Sequence, residues 1–315
     1  MWFRNLQLYR LTQPFELSPE ELHERLEARR SRPCGPLEPA TLGWAPPLGR
    51  EGTLLTHAVG RCIMVCARRE ERLLPASVVR EEVGERVEQL ETASGRKLGR
   101  REKSELKDNV VLELLPQAFV RSAHLHAYID AANGWLIVDS PTPKRAEELI
   151  DLLRETLGSL PLQPLEVERS PAGVMTQWLH SGRLPGDLLP GDECELRDPT
   201  EEGSVVRCRH LDLGGEEIRV HLDAGRQVVR LALEWQDHIA FVLCDDLSLK
   251  RLKFLDLIQE QAAEVEAEDA ATRFDVDFAL MSGELGRLLP RLFGLFGGVA
   301  EKGAGTADPS PESRQ

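Results

Sequence analysis

Three features of the sequence predict an α+β fold of mixed antiparallel sheets and helices. Short runs with period-two alternation, such as Trp2 to Leu11 and Gln227 to Trp235, read as strands. Longer runs with apolar residues three and four apart, such as Val83 to Leu114, read as helices. The two kinds follow one another in blocks, without the regular alternation that a parallel sheet requires. At 315 residues and 41% hydrophobic content the chain can build two or three ordinary cores.

The opening strand ends near Leu11, and Ser18-Pro19-Glu20-Glu21 then starts a helix through about Arg30, with serine as cap and proline in the first turn. Residues 32–49 carry so much proline and glycine that they read as a loop anchored by Trp44. Thr53 to Val59 and Arg61 to Ala67 form an expected antiparallel pair about Gly60. Pro75 to Leu115 is helical in pattern, with a break expected at Ala93-Ser94-Gly95 because glycine costs about 1 kcal/mol in a helix interior. Ala118 to Asp130 and Trp135 to Asp139 predict a hairpin across Asn133-Gly134, and Lys144 to Leu157 an amphipathic helix closed by Gly158. Further on, helices are expected at Met175 to His180 and Glu216 to Asp223, and a meander at Gln227 to Trp235, His238 to Cys244 and Leu249 to Phe254. An acidic helix at 256–270, a strand from Arg273 to Met281 and a helix from Gly283 to Phe296 complete the pattern. The expected organisation is an α+β segment (1–74), a helical segment (75–118), a hairpin and helix returning to the first sheet (119–165), a second α+β region (166–298) and a disordered tail (299–315).

A net charge of −14 excludes a protein that coats nucleic acid with its whole surface, but not one with a local basic site. The apolar stretches are interrupted too often to span a membrane. The N-terminus lacks the apolar core of a signal peptide, so a cytoplasmic location is expected. Six scattered cysteines then predict free thiols. Cys62 and Cys66 read as core thiols, with a zinc site as the competing reading.

The densest basic stretch, Gly95 to Lys107, holds Arg96, Lys97, Arg100, Arg101, Lys103 and Lys107 against Glu102 and Glu105. If helical, Arg96, Arg100, Lys103 and Lys107 align in one stripe that can track phosphates; a solvated helix face is the competing reading. Arg68-Arg69-Glu70-Glu71-Arg72 is mixed in sign. In Lys250-Arg251-Lys253, strand geometry sets Lys250 opposite the other two. Asp245 with Asp246, and Asp275 with Asp277, could serve a metal-dependent nuclease if they converged, with Asp130 and Asp139 as a further pair. Asp245-Asp246 also suits a turn between strands. His57, His124 and His126 lie on strand-like runs without a third metal ligand at recognisable spacing. No phosphate loop, serine-hydrolase elbow or dinucleotide fingerprint is present, so neither cofactor nor catalytic residue is expected.

Taken in order, several strings resemble the bacterial recombination-associated RdgC family. They are MWFRNLQLYRL at the start, GWAPPLG at 43–49, CARREERLLPASVV at 66–79, LKDNVVLELLPQAF at 106–119, CDDLSLKRLKF at 244–254 and FDVDFALMSGEL at 274–285. The resemblance implies an elongated, horseshoe-like multi-domain subunit that closes as a homodimer into a ring around double-stranded DNA, with single-stranded DNA as a candidate second ligand. It further implies sequence-indifferent binding, a nucleoid location and restraint of RecA-promoted recombination. For Phe119, which follows the L-L-P motif, it implies a dimer contact, where the sequence alone reads as core. Arg209, His210 and Leu211 map to the family's partner region near the second contact surface, with histidine and leucine departing from the family's more basic and polar pattern.

Overall fold

The computed structural model describes residues 1–200, 204–265 and 269–300. Strand β1 (Leu6–Leu11) leads to α1 (Pro19–Glu27), which begins on a reciprocal cap. Glu21 N donates to Ser18 Oγ at 3.2 Å and Ser18 N donates to the Glu21 carboxylate at 2.8 Å. Then follow β2 (Ala40–Ala45), β3 (Thr56–Val59), β4 (Cys62–Leu73), α2 (Ala76–Ser94), α3 (Arg100–Leu114), β5 (Phe119–Asp130), β6 (Trp135–Asp139) and α4 (Pro143–Leu157). The second half runs β7 (Leu162–Pro164), α5 (Pro171–Ser181), β8 (Leu188–Arg197), β9 (Val205–Arg209), α6 (Glu216–Asp223), β10 (Gln227–Trp235), β11 (Ile239–Cys244), β12 (Leu249–Phe254), α7 (Asp256–Glu264) and α8 (Ala270–Leu295). The α+β class and its antiparallel pairing are as the sequence predicts.

The chain divides into two compact units, one of Leu11–Pro161 and one of Met1–Arg10 with Leu162 onward. In the first, β4 is the central strand. β5 pairs along its full length, from Cys62↔Asp130 to Leu73↔Phe119, and β6 continues the sheet on the far side of β5. On the opposite edge β3 and β2 occupy β4 in succession, at Cys62 to Val65 and Cys66 to Glu71. The turn between β5 and β6 spans Ala131 to Gly134, where Asp130 Oδ1 accepts from Asn133 N at 3.0 Å and Gly134 sits at φ +71°. In the second unit the sheet order is β1-β12-β11-β10-β8-β9, all antiparallel. α5 lies against β10, and Val228 N donates to Thr176 Oγ1 at 2.8 Å.

Three expectations need correction. Residues 32–49 do not form a loop throughout: the prolines bracket the strand β2 without entering it, and pairing with β4 satisfies its backbone. Trp44 is the expected anchor, fully buried, its Nε1 donating to Thr156 Oγ1 at 2.9 Å. Arg273 to Met281 is helix, continuous with the segment after it. The alternation of Phe274, Val276 and Phe278 with aspartates imitates a strand, but Phe278, Met281, Leu285, Leu288 and Leu292 recur at helical spacing on one buried face. Asp269 caps this helix by accepting from Thr272 N at 2.7 Å. Strands β8 and β9 are additions, since Pro190, Gly191 and the acidic residues of Leu188–Arg197 hide their pattern. Of the expected tail, residues 301–315 lie outside the described residues, as do 266–268 of the acidic helix; Val299 bridges to Val167.

Gly43 is where β2 tolerates no side chain, because a Cβ there would stand 2.7 Å from Ser31 Cα and 2.8 Å from Arg29 O. A Cβ on Gly84, inside α2, would meet nothing within 4 Å. Urea unfolding is therefore expected to show Gly43→Ala destabilised by about 1–3 kcal/mol and Gly84→Ala stabilised by up to about 1 kcal/mol. Equal midpoints for the two variants would refute this account of β2 packing.

Candidate nucleic-acid interface

The basic stretch spans the turn between α2 and α3. α2 ends at Gly95 in the left-handed region (φ +65°), and α3 starts after Gly99, whose N–H donates to the Glu102 carboxylate at 2.8 Å. Arg96 and Lys97 thus lie in the connecting turn, which Leu98 N pins by donating to Glu91 at 2.9 Å. The four-membered stripe is corrected to Arg100, Lys103 and Lys107, three and four apart on α3. Arg96 leaves it because Gly95 breaks the helix before it.

Half of the six cations already have carboxylate partners. Arg96 holds Glu102 at 2.6 Å, Arg101 holds Glu105 at 2.8 Å, and Lys103 reaches back to Glu91 at 3.1 Å. The Arg96 guanidinium, with the Gly99 N–H second, holds the Glu102 carboxyl down to about 2. Arg100 and Lys107 form no ion pair among the described residues. Lys107 also rims a cavity of about 570 Å³ beneath the two helices, lined by Val79, Val83, Val111 and Leu115 with Arg72 and Arg80.

The mixed-sign run on β4 is structural. Arg68 pairs with Glu70, Arg69 with Glu148 at 3.2 Å, and Arg121 across the ladder with Glu71. Sequence reasoning named Arg72 only as part of that run and missed its role: it donates to the carbonyls of Gly35, Leu115 and Ala118 at 3.0–3.2 Å, joining the end of β4 to the start of β5. Its only sequence signal was its place at the end of the charged run Arg68 to Arg72, directly before Leu73-Leu74-Pro75.

Phe119 begins β5 opposite Leu73 and is 84% exposed, with Val120 at 46% and Leu73 at 42% beside it. The core reading of Phe119 is overturned, because Leu115 takes the buried position before the proline and β5 starts beyond the sheet's apolar cover. Arg209 ends β9; His210 follows at φ +55°, its Nδ1 2.8 Å from Asp192 Oδ2. Arg209 lies 3.8 Å from Glu193, and Leu211 is exposed.

The carboxylates do not assemble a nuclease centre. Asp245 and Asp246 occupy the β11–β12 turn, where Asp246 Oδ1 accepts from Ser248 N at 3.0 Å and from its hydroxyl at 2.5 Å. Asp277 is buried on α8 against the Met1 ammonium and Arg273, while Asp275, two residues earlier, cannot share its face. Asp130 is committed to the β5–β6 turn. Among the described residues no three His, Cys, Asp or Glu side chains group as metal ligands. All six cysteines are free thiols, and burial pushes Cys66 up to about 12. Arg251 at φ +52° puts a bulge into β12, so strict alternation of Lys250, Arg251 and Lys253 fails.

A family model described as "Putative exonuclease, RdgC" matches residues 1–299. The chain belongs to the RdgC family. It is 43% identical over 298 residues to the recombination-associated protein RdgC of Psychromonas ingrahamii, covering 95% of this chain and 99% of that protein. Its namesake in Aeromonas hydrophila is 44% identical over 298 residues, covering 95% and 98%. That of Proteus mirabilis is 44% identical over 301 residues, covering 96% and 100%. A role in recombination follows for this RdgC-family chain. No helix among its described residues is long and apolar enough to cross a membrane.

His126, on β5 opposite Cys66, carries a pH signature. Burial holds its imidazole down to about 4 from an ordinary 6.5. The unfolded chain therefore takes up this proton first, so the stability is full above about pH 6.5 and drains as pH falls toward 4, by up to about 3 kcal/mol. Urea unfolding at pH 7 and pH 4.5 should show a larger loss for wild type than for His126→Gln; parallel losses would mean that the imidazole is not buried neutral.

Proposed function

We propose that this protein binds duplex DNA with little sequence preference as a homodimer closed into a ring, and that by occupying DNA it restrains RecA-promoted recombination without catalysing a reaction. The observation that carries the DNA part is the exposed edge of α3 and its preceding turn, where Lys97, Arg100 and Lys107 stand clear on a chain of net charge −14. A ring reconciles these facts: cations gathered on an inner surface meet phosphates while acidic surfaces face outward, and screening over about 8 Å keeps the two apart. Family membership supports the link to recombination, and a nucleoid location accompanies it. Single strands offer the same phosphates and are the second candidate ligand.

A closed two-fold ring needs two self-complementary contacts. Phe119, with Val120 and Leu73, is the candidate for one, since an exposed aromatic beside two exposed aliphatics is the composition of an interface centre. Arg209, His210 and Leu211 are the candidate polar partner surface. In this reading the word exonuclease in the family description has no counterpart in this chain's chemistry, and supercoiled plasmid incubated with protein and Mg²⁺ is shifted but not nicked.

Binding to a labelled random-sequence duplex across a salt series tests the DNA part. Log affinity should fall linearly with log salt, by about 0.9 per neutralised phosphate. Arg100→Glu with Lys107→Glu should weaken binding by at least about tenfold and flatten that slope by about 1–2; an unchanged slope removes α3 from the interface.

The dimer contact has its own measurement. Sedimentation of Phe119→Ala should show a dissociation constant raised by about thirtyfold or more, as for loss of a hot-spot aromatic. A dimer as tight as wild type would leave Phe119 without that role.

A further inference from the structure

We propose that a second site, in the unit formed by Met1–Arg10 and Leu162 onward, binds a nucleoside phosphate with an unpaired base, either free or as one unit of a single DNA strand. A cavity of about 500 Å³ opens between the N-terminal segment, β12, α7 and α8, lined by Trp2, Arg4, Lys253, Phe254, Gln259 and Arg273 among others. Its floor is aromatic: the Trp2 indole rests on the buried Phe254 ring, centroids 4.6 Å apart and tilted by 42°. Its rim is cationic. Lys253 is exposed and forms no ion pair among the described residues, and Arg273 is held in place by donating Nη1 to Ala262 O at 2.9 Å. Among the described residues no carboxylate lines the cavity. Asp277, 3.6 Å from Arg273, also takes the Met1 ammonium, so one negative charge is shared by two positive ones.

Each part of a nucleotide has a matching group here. Every base has a face that stacks on an indole, and cationic side chains around such a platform take the phosphate, as in single-strand-binding grooves. Gln259 adds an amide at the wall, its Nε2 donating to Phe254 O at 2.6 Å and its oxygen remaining as an acceptor for a base edge. A volume of this size suits one small ligand. A duplex cannot use it, because its base faces are hidden in the stack. Occupancy of this cavity does not depend on closure of a ring around a duplex.

Calorimetric titration of the full-length protein with dAMP, with inorganic phosphate and with 5′-phosphorylated (dT)15 tests the site. Saturable binding of dAMP, tighter than of phosphate, is expected. Trp2→Ala and Lys253→Ala should each weaken it by about tenfold or more, while Trp2→Phe keeps most of the affinity. Lys253 is a surface side chain, so its variant answers even if Trp2→Ala fails to fold. Competition of the strand with dAMP identifies the strand as the source of the nucleotide; dAMP binding without competition identifies the free nucleotide. If neither dAMP nor strand binds saturably, or if both variants bind like wild type, the site is wrong. Duplex binding should be unchanged in Lys253→Ala, and dAMP binding unchanged in Arg100→Glu with Lys107→Glu, so failure of this site and failure of the duplex reading give different results.

Discussion

The ladder between β4 and β5 sets the geometry of the candidate interface in the Leu11–Pro161 unit. Twelve residue pairs hold one register, from Cys62↔Asp130 to Leu73↔Phe119. A slip by one residue would exchange the faces of every side chain on β5 and expose Leu125, Ala127 and Ile129. The inner half is fixed by this apolar burial. The outer half has no such cover, and its ion pairs are exposed enough to contribute little each. Arg72 and Glu70 hold it instead. Arg72 gathers backbone carbonyls from both flanking segments, and the buried Glu70 accepts from Cys34 N at 2.9 Å, which holds its carboxyl below the usual range. Phe119 is thereby displayed at a fixed place on the half of β5 that the core does not cover.

In the proposed DNA complex the cations of α3 and its preceding turn are contested by two sets of anions. Arg96, Arg101 and Lys103 are engaged by Glu102, Glu105 and Glu91, so a phosphate must displace a carboxylate to use them. Exposed pairs of this kind are worth about 0–1 kcal/mol, a small barrier to exchange. Arg100 and Lys107 need no exchange. The glutamates keep the turn and α3 from presenting a large single-sign surface. Net charge of the whole chain therefore says little about this surface, since fields beyond about 8 Å are screened.

Much of the fold was legible where the signal is local. Ser18, Gly95 and Gly158 marked helix ends, and the meander from Gln227 to Phe254 stood at its expected bounds, because caps, left-handed glycines and period-two runs act within a few residues. What failed depended on distant partners. β2 exists because β4 offers it a ladder, and α8 is one helix because a whole face of it is buried, facts that neither stretch contains alone. The candidate site divides in the same way. The basic run was visible, but the pairing of Arg96 with Glu102, the carbonyls around Arg72 and the aromatic cavity built from Trp2 and Phe254 required the chain to bring remote segments together. Phe119 read as core because an apolar residue after a proline usually is; only the burial of Leu115 before the proline showed that it had taken that place.

The edge strand β9 restricts what kind of contact the second unit could make in the proposed dimer. Edge strands invite pairing with another chain unless charge or irregular backbone prevents it. β9 carries Arg207 and Arg209 outward, bonded to Glu195 at 3.0 Å and near Glu193 at 3.8 Å, and His210 turns the chain into the left-handed region directly after it. Continuation of the sheet across a two-fold axis centred at Cys208 would set Arg207 and Arg209 against each other. A contact through Arg209, His210 and Leu211 must therefore be made by side chains at the end of the strand. In the proposed dimer a contact of that kind could part without unzipping a sheet.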